Sequence, residues 1–488
     1  MLLSMLLGCT PRAVAPPAAA PGELVLLHTN DLHGHYLDEG GDGGLVLLDA
    51  YADAYKAAHP VLMLDAGDVL SGTPLTDLEV RGAQGGAMME LMEAVGYDAW
   101  ALGNHEFDKG QANAQAIVSA SNIPVLSANL RRGSAIALDG VLPYIVLEEN
   151  GLRVGVIGLV TEALDKMVSP RMVEGITVEN SARAVEREIE AMGPVDLVVV
   201  LSHIGLEEDR VLAAQVPAID LIVGGHSHSF VHRPELVGDT WVVQAGEYAK
   251  VLGVLKLQVE DGAITSFQGE LVQLTAEGAP GAGSDDVTEL VQRYDGQIRE
   301  VYDVPLGSAT GPLVRDYYHQ SSMGGWATGV LQSATGADIG IYNSGGLRED
   351  LPQGVVTRRS LYQVFPFSNE VVTFEITGDE LTSLVLANCF RELEGRSWMQ
   401  MSGVKTEWRV RLDSPELLSV SINGEPLDPD RTYVVATNSY VLDQAPRMLS
   451  QIDPKNPTDS GFTVLDAAVR AAEEGPIVPP ATDTFVRR

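Results

Sequence analysis

The chain has 488 residues, with 67 acidic against 32 basic side chains, a net charge of −35 that excludes a nucleic-acid-binding surface and gives anionic lipid nothing to attract. Its length suggests roughly two to four domains, and an apolar content of 45% excludes wholesale disorder. The acidity does not exclude an anionic substrate, since bound divalent cations would invert the local field.

The chain opens with a short apolar run, Met1 to Gly8, that ends Leu6-Leu7-Gly8-Cys9 and passes into an Ala/Pro tract reaching Pro21. The run is too short to span a bilayer. Its ending resembles a bacterial lipoprotein signal, in which Cys9 would carry the lipid and the Ala/Pro tract would be a tether. No Lys or Arg precedes it, a departure from ordinary export signals that leaves an accidental match open. The second cysteine, Cys389, reads as a buried small apolar side chain, so no disulfide framework is expected.

From Glu23 onward a pattern repeats, in which a strand-like apolar run is followed by metal-ligand residue types. Leu24–Leu27 leads into His28-Thr29-Asn30-Asp31-Leu32-His33-Gly34-His35, and Val61–Leu64 into Asp65-Ala66-Gly67-Asp68. Tyr97–Leu102 leads into Gly103-Asn104-His105-Glu106-Phe107-Asp108, Leu197–Leu201 into Ser202-His203, and Leu221–Val223 into Gly224-Gly225-His226-Ser227-His228. Helical periodicity fills the intervals, as in Ser181–Met192. Alternating strands and helices predict an α/β domain whose ligand-bearing loops gather at the carboxyl ends of the strands. Tyr144–Leu147 and Arg153–Leu159 flank Asn150-Gly151 and predict a hairpin, so part of the sheet is antiparallel. A Gly/Pro-rich linker follows at 276–284, then a helix from Asp285 to Val301 and a second domain from about Leu306. That domain offers a helix over Met323–Ala334, a strand over Asp338–Tyr342 and a capping box, Thr377 with Glu380, opening a helix to Cys389.

The five clusters supply Asp31, His33, Asp68, Asn104, His203, His226 and His228, a nitrogen and oxygen set suited to two divalent ions with a bridging carboxylate. Two such ions about 3.5–4 Å apart can clamp the attacking and leaving oxygens of a phosphate ester. His105 and Asp108 stand three residues apart, within reach of each other on one turn. An isolated Asp-x-His occurs by chance; five clusters in this order, each at a strand end, do not.

These motifs, 27–35, 67–68, 103–108, 202–203 and 225–228, resemble those of the 5′-nucleotidase family, whose catalytic half is a calcineurin-like metallophosphoesterase. The resemblance implies a layered α/β/β/α catalytic domain over 22–275, a linker and connecting helix over 276–305, and an α/β substrate-binding domain over 306–488, with 1–21 as signal and tether. It implies one metal on Asp31, His33 and His228, another on Asn104, His203 and His226, Asp68 bridging, and His105 with Asp108 as catalytic dyad. Some members have Gln where this chain has His228. The metals could be Zn, Mn, Co or Mg. Asn343-Ser344-Gly345-Gly346-Leu347-Arg348 resembles the family's Gly-rich signature with Ser344 in place of one Gly, so Asn343, Gly345, Gly346 and Arg348 become substrate-binding candidates. Phe367, in Phe365-Pro366-Phe367-Ser368-Asn369, corresponds to the family's base-stacking Phe. Tyr440 could be the second aromatic of the clamp or simple packing, because the Gly-rich segment expected after it is replaced by Val441-Leu442-Asp443-Gln444. Arg315 is the sole nearby candidate for a further phosphate arginine, since Met323-Gly324-Gly325 occupies the family's usual place for one.

The resemblance implies a metal-dependent hydrolase of nucleoside 5′-monophosphates; the lipoprotein-like start adds the expectation of export to the periplasm or cell envelope with a lipid anchor on Cys9. The rival readings are hydrolysis of UDP-sugars, 2′,3′-cyclic nucleotides or a thiosulfate-releasing ester, or a non-catalytic lipoprotein that captures metal and nucleotide. The last would be expected to lose a ligand or the dyad.

Overall fold

The computed structural model describes residues 19–38 and 40–488; Cys9 and its flanking segment lie outside them. Two six-stranded sheets form the first half. Across the first sheet the order is Ala263–Gln273, Val251–Glu260, Glu23–Thr29, Val61–Asp65, Ala99–Ala101, Val125–Leu126. Across the second it is Glu235–Val237, Thr240–Gln244, Leu221–Gly224, Leu197–His203, Leu152–Val160, Tyr144–Glu149. The inner strands of both are parallel; antiparallel strands close both edges of the second sheet, including the expected hairpin of Tyr144–Glu149 with Leu152–Val160, and one edge of the first, whose other edge, Val125–Leu126, is parallel.

Side-chain alternation along each strand explains the layering. Leu24 and Leu26 face Val154, Val156, Leu197, Val199 and Leu201 in a core between the sheets. Val25, Leu27 and Met63 point the other way, onto helices Leu45–Lys56, Gly86–Val95 and Asp285–Tyr302. Val198, Val200 and Ile222 take helices Ser181–Met192 and Leu206–Gln215 on the far side. The result is the α/β/β/α stack. The connecting helix joins this stack through Val287, Val291, Tyr294 and Ile298.

The second half is built on a mixed five-stranded sheet, ordered Met399–Ser402, Ile339–Asn343, Thr432–Asn438, Glu370–Thr377, Lys455–Thr463. Helices Ser322–Thr335, Arg358–Val364 and Val464–Glu474 cover one face and Gly378–Glu394 the other. The Thr377–Glu380 capping box forms as expected, and its helix runs past Cys389 to Glu394, where Gly395 caps it in left-handed backbone. Among the described residues no helix is long and apolar enough to cross a membrane.

Candidate metal centre and substrate cleft

Parallel registers that pair Thr29 with Asp65, Asp65 with Trp100 and Ser202 with Gly224 bring the strand ends level. The loops beyond them turn sharply into one place. Asp31, His33, Asp68, His226 and His228 have φ of 52°, 48°, 56°, 72° and 52°. Left-handed backbone costs a non-glycine residue about 1–2 kcal/mol, so most of the expected ligands sit in turns strained in the manner of functional sites.

Asp31, His33 and His228 bring ligand atoms within 4.8 Å of one another, as do Asp68, His203 and His226; His33, Asp68 and His105 form a third such group. The hydrogen bonds on the outer side of each ring decide what the inner side offers. Nδ1 of His203 lies 2.7 Å from the Ala66 carbonyl, and Nδ1 of His33 lies 2.8 Å from that of Ser71. A carbonyl can only accept, so both Nδ1 atoms carry hydrogen and donate, and Nε2 of the neutral ring is a bare lone pair. Nδ1 of His228 is held in the same way by the Glu247 carboxylate. Nε2 of His203 then faces Asp68 Oδ2 at 3.0 Å, and the Nε2 atoms of His33 and His228 face each other at 3.2 Å. Buried Oδ1 of Asn104 and Nδ1 of His226 have no hydrogen-bond partner among the described residues. Lone pairs converging on lone pairs repel unless cations lie between them, so this donor set fits divalent ions.

The electrostatics agree. Burial opposes charge on His203 and His228, yet the Asp68 and Asp31 carboxylates outweigh it and push them up to about 10 and about 9. Burial and the neighbouring His203 hold His226 down at about 4. The carboxylates demand positive charge, which bound cations would supply without protonating the ligands.

His105 is fixed twice. Its backbone N–H donates to Asp68 Oδ1 at 2.8 Å, and its Nδ1 lies 2.6 Å from Asp108 Oδ2. The short turn His105–Phe107 provides this i,i+3 contact. Burial disfavours the imidazolium, but Asp108 and Asp68 more than offset that and raise its pKa.

Sequence reasoning missed the supports. Glu106, fully buried, accepts from the N–H groups of Asp68, Val69, Leu70 and Gly103 at 3.2, 3.0, 3.2 and 2.6 Å, bracing the Asp68 turn. Burial, reinforced by Asp68, pushes its carboxyl up to about 8. Asn30 donates to Asp31 Oδ2 at 2.7 Å while accepting from Ala245 N–H at 2.8 Å. Glu106 and Asn30 were visible as motif letters; what they hold was not. Of the other histidines, His35 stacks on Tyr248 at 4.1 Å, and Tyr248 packs against His33 and His228, so His35 supports the ligand rings from behind. His28 shares the strand face of Leu24 and Leu26 and packs over Gly253, away from the ligands. His59 pairs with Glu23 at 3.0 Å and exposed His319 with Asp316 at 3.2 Å.

The calcineurin-like phosphoesterase model matches residues 24–230, and the 5′-nucleotidase C-terminal domain model matches 303–449. The chain belongs to the 5′-nucleotidase family. It is a metal-dependent phosphoric ester hydrolase by that membership. The protein UshA of Yersinia enterocolitica is 26% identical over 475 residues, spanning 86% of this chain and 85% of its own. A 5′-nucleotidase of Vibrio cholerae is 25% identical over 496 residues, 90% of this chain and 88% of its own. The structure of a 5′-nucleotidase precursor from Thermus thermophilus superposes with a TM-score of 0.83 at 27% identity, covering 95% of this chain and 99% of that one. The sulfate thiohydrolase SoxB of the same organism, TM-score 0.77 at 19% identity over 96% and 98%, shares the fold.

This 5′-nucleotidase family member has a cavity of about 600 Å³ between its two halves. Asp68, Asn104, His105, Asp108, His226 and His228 line one side, and Asn343, Gly345, Gly346, Arg348, Phe367 and Tyr440 the other. Asp31, His33 and His203 are buried behind the first side. Phe367 stacks on the His105 ring at 5.6 Å and 17°. Its ring partner among the described residues is therefore His105 and not Tyr440, whose hydroxyl donates across the cleft to the Lys166 carbonyl at 2.9 Å. Burial opposes the Arg348 charge, but Tyr248, Asp68, Glu247 and Asp108 sustain it. Arg315 lies outside the cavity. It pairs with Asp350 at 3.1 Å and donates to the Arg348 carbonyl, which braces that loop.

Proposed function

We propose that this protein is a dinuclear-metal phosphohydrolase that releases orthophosphate from nucleoside 5′-monophosphates or closely related nucleotides. What supports the reading most is the pair of buried lone-pair clusters meeting at Asp68, facing a wall that carries Arg348 and Phe367. One ion would be held by Asp31, His33 and His228 and the other by Asn104, His203 and His226, with Asp68 serving both; Zn, Mn, Co and Mg all suit such a set. When bound, such ions supply Lewis acidity to phosphoryl oxygens and lower the pKa of the attacking water.

The chain's own residues do the rest. Arg348 would bind and orient the phosphoryl group. His105, its Nδ1–H held by Asp108, would donate a hydrogen bond from Nε2 to a phosphoryl oxygen as negative charge builds there. Water would supply the new oxygen on phosphorus, the ester P–O bond to the nucleoside would break, and a proton from that water would end on the departing nucleoside oxygen as its hydroxyl. Phe367, with Tyr440, would stack on the base, and the Asn343, Gly345 and Gly346 turn would let backbone approach the nucleotide closely. The catalytic unit would be 22–275, the connector 276–305 and the substrate-binding unit 306–488. We also propose an exported protein with lipid on Cys9, which mass spectrometry of the membrane fraction would detect.

The test is turnover of AMP, a UDP-sugar, a 2′,3′-cyclic nucleotide and a small aryl phosphate, before and after chelation. Chelation should abolish hydrolysis and Mn²⁺, Co²⁺, Zn²⁺ or Mg²⁺ restore it. Full turnover in verified metal-free protein would overturn the metal reading; aryl phosphate turnover with no nucleotide turnover would overturn the substrate.

A further inference from the structure

In a chain of net charge −35 a cationic wall is an exception, and one lines the cleft beyond Tyr440. Arg391, Arg396 and Arg447 all open onto the cavity. Arg391 lies in the last turn of helix Gly378–Glu394, Arg396 just past its Gly395 cap, and Arg447 in the helical turn Ala445–Met448. Their partners leave most of this charge unanswered. Arg391 donates to the carbonyls of Ser397 and Met448 at 3.2 and 2.9 Å. Arg447 donates to the Lys166 carbonyl at 2.7 Å and the Tyr440 hydroxyl at 2.9 Å. All four acceptors are neutral. Among the described residues Arg396 alone of the three meets a carboxylate, Glu394 at 2.7 Å, in an exposed pair that solvent screens.

The three guanidiniums therefore act on one another. Burial, with the charges of Arg396 and Arg447, depresses the pKa of Arg391. Holding like charges together in a partly desolvated cleft is unfavourable, and a dianion among them reverses the sign of the interaction. The scissile phosphate already has Arg348, His105 and the ligand clusters, so hydrolysis of a monophosphate leaves these three arginines without a task. Arg447's bond to Tyr440 sets them beside the region assigned to base and sugar.

We propose that this wall is a second anion subsite, and that preferred substrates carry a phosphate on the ribose 2′ or 3′ oxygen in addition to the 5′-phosphate that is cleaved. The proposal rests on the nucleotidase reading above, and its test does not need turnover. Metal-loaded full-length protein is titrated by calorimetry with adenosine, adenosine 2′-phosphate and adenosine 3′-phosphate. One of the two phosphates should bind at least tenfold more tightly than adenosine, and which one does so identifies the ribose oxygen. Arg391→Gln should reduce that advantage to less than threefold, and Arg391→Lys should keep most of it. Because Arg391 also ties its helix end to Met448, exposed Arg396→Gln is the second variant, expected to lower the advantage severalfold if Arg391→Gln does not fold. In steady state the KM for the matching 2′,5′- or 3′,5′-bisphosphate should be at least tenfold below that for AMP. Equal affinity for all three ligands would overturn the subsite. So would an advantage that survives both glutamine variants, since the phosphate would then sit at the metal centre. Tight, Arg391-dependent binding without hydrolysis of any nucleotide would instead overturn the nucleotidase reading and leave the subsite standing.

Discussion

Replacing Gly103 by alanine places a methyl carbon 2.2 Å from Oδ1 of Asp68 and 2.5 Å from its backbone nitrogen. Non-bonded heavy atoms sit comfortably at about 3.5–4.0 Å, so the Asp68 turn would have to retreat by about 1 Å. It is not free to do so. Glu106 holds three consecutive N–H groups of that turn, and the Asp68 carbonyl accepts from the N–H of His33 at 3.0 Å. Gly103 is not among the glycines with positive φ, so the effect is one of space and not of backbone strain. Overpacking of this kind destabilises by about 1–3 kcal/mol, and a 1 Å misplacement near the reacting atoms costs about 10²-fold in rate. We therefore expect kcat/KM for AMP to fall about 10²-fold, with fewer than two equivalents of metal retained. The assay is steady-state phosphate release alongside metal quantification by plasma mass spectrometry on the same sample. Gly296→Ala, in helix Asp285–Tyr302, where among the described residues no heavy atom beyond the helix's own backbone lies within 4 Å of the added carbon, is the control. It should keep full activity and gain up to about 1 kcal/mol of stability. A Gly103→Ala enzyme with wild-type metal content and turnover would refute the reasoning, because the position of Asp68 would then not matter.

His105→Asn should lower kcat by roughly 10²–10⁴ at unchanged metal content, with Asp108→Asn losing less; a metal-poor His105→Asn enzyme would make His105 a ligand, as its proximity to His33 and Asp68 permits. Phe367→Ala should raise KM for AMP about tenfold, more than for a small aryl phosphate, in keeping with about 1–3 kcal/mol for a base-stacking contact. Equal losses on both substrates would mean that the stack on His105 is what matters. Cys389 is fully buried and desolvation pushes its thiol up to about 12, so in a Cys9→Ser chain a thiol reagent at pH 8 should react only after unfolding. Rapid native labelling would show that the helix opens locally.

Strand ends followed by Asp-x-His, Gly-Asp, Gly-Asn-His, Ser-His and Gly-His-Ser-His singled out Asp31, His33, Asp68, Asn104, His203, His226 and His228 as ligand candidates, because ligand chemistry restricts residue type and the short turns fix spacing within each motif. Short continuous apolar runs alternating with helical periodicity likewise carried the α/β reading, since strands buried on both faces read as unbroken apolar runs. Tertiary structure decided which residues support which. That Glu106 braces Asp68, that Glu247 orients His228, or that His28 turns away from the site depends on backbone segments far apart in sequence meeting at hydrogen-bond distance. The protonation of the rings was equally illegible, because it follows from which nitrogen meets a carbonyl, as Nδ1 of His203 meets Ala66. The cleft depended most on the fold. Arg391, Arg396 and Arg447 follow no motif, and Arg315, chosen by proximity in sequence, turns outward to Asp350. A long cationic side chain reaches across several residues of backbone, so its position in the chain says little about where its charge ends.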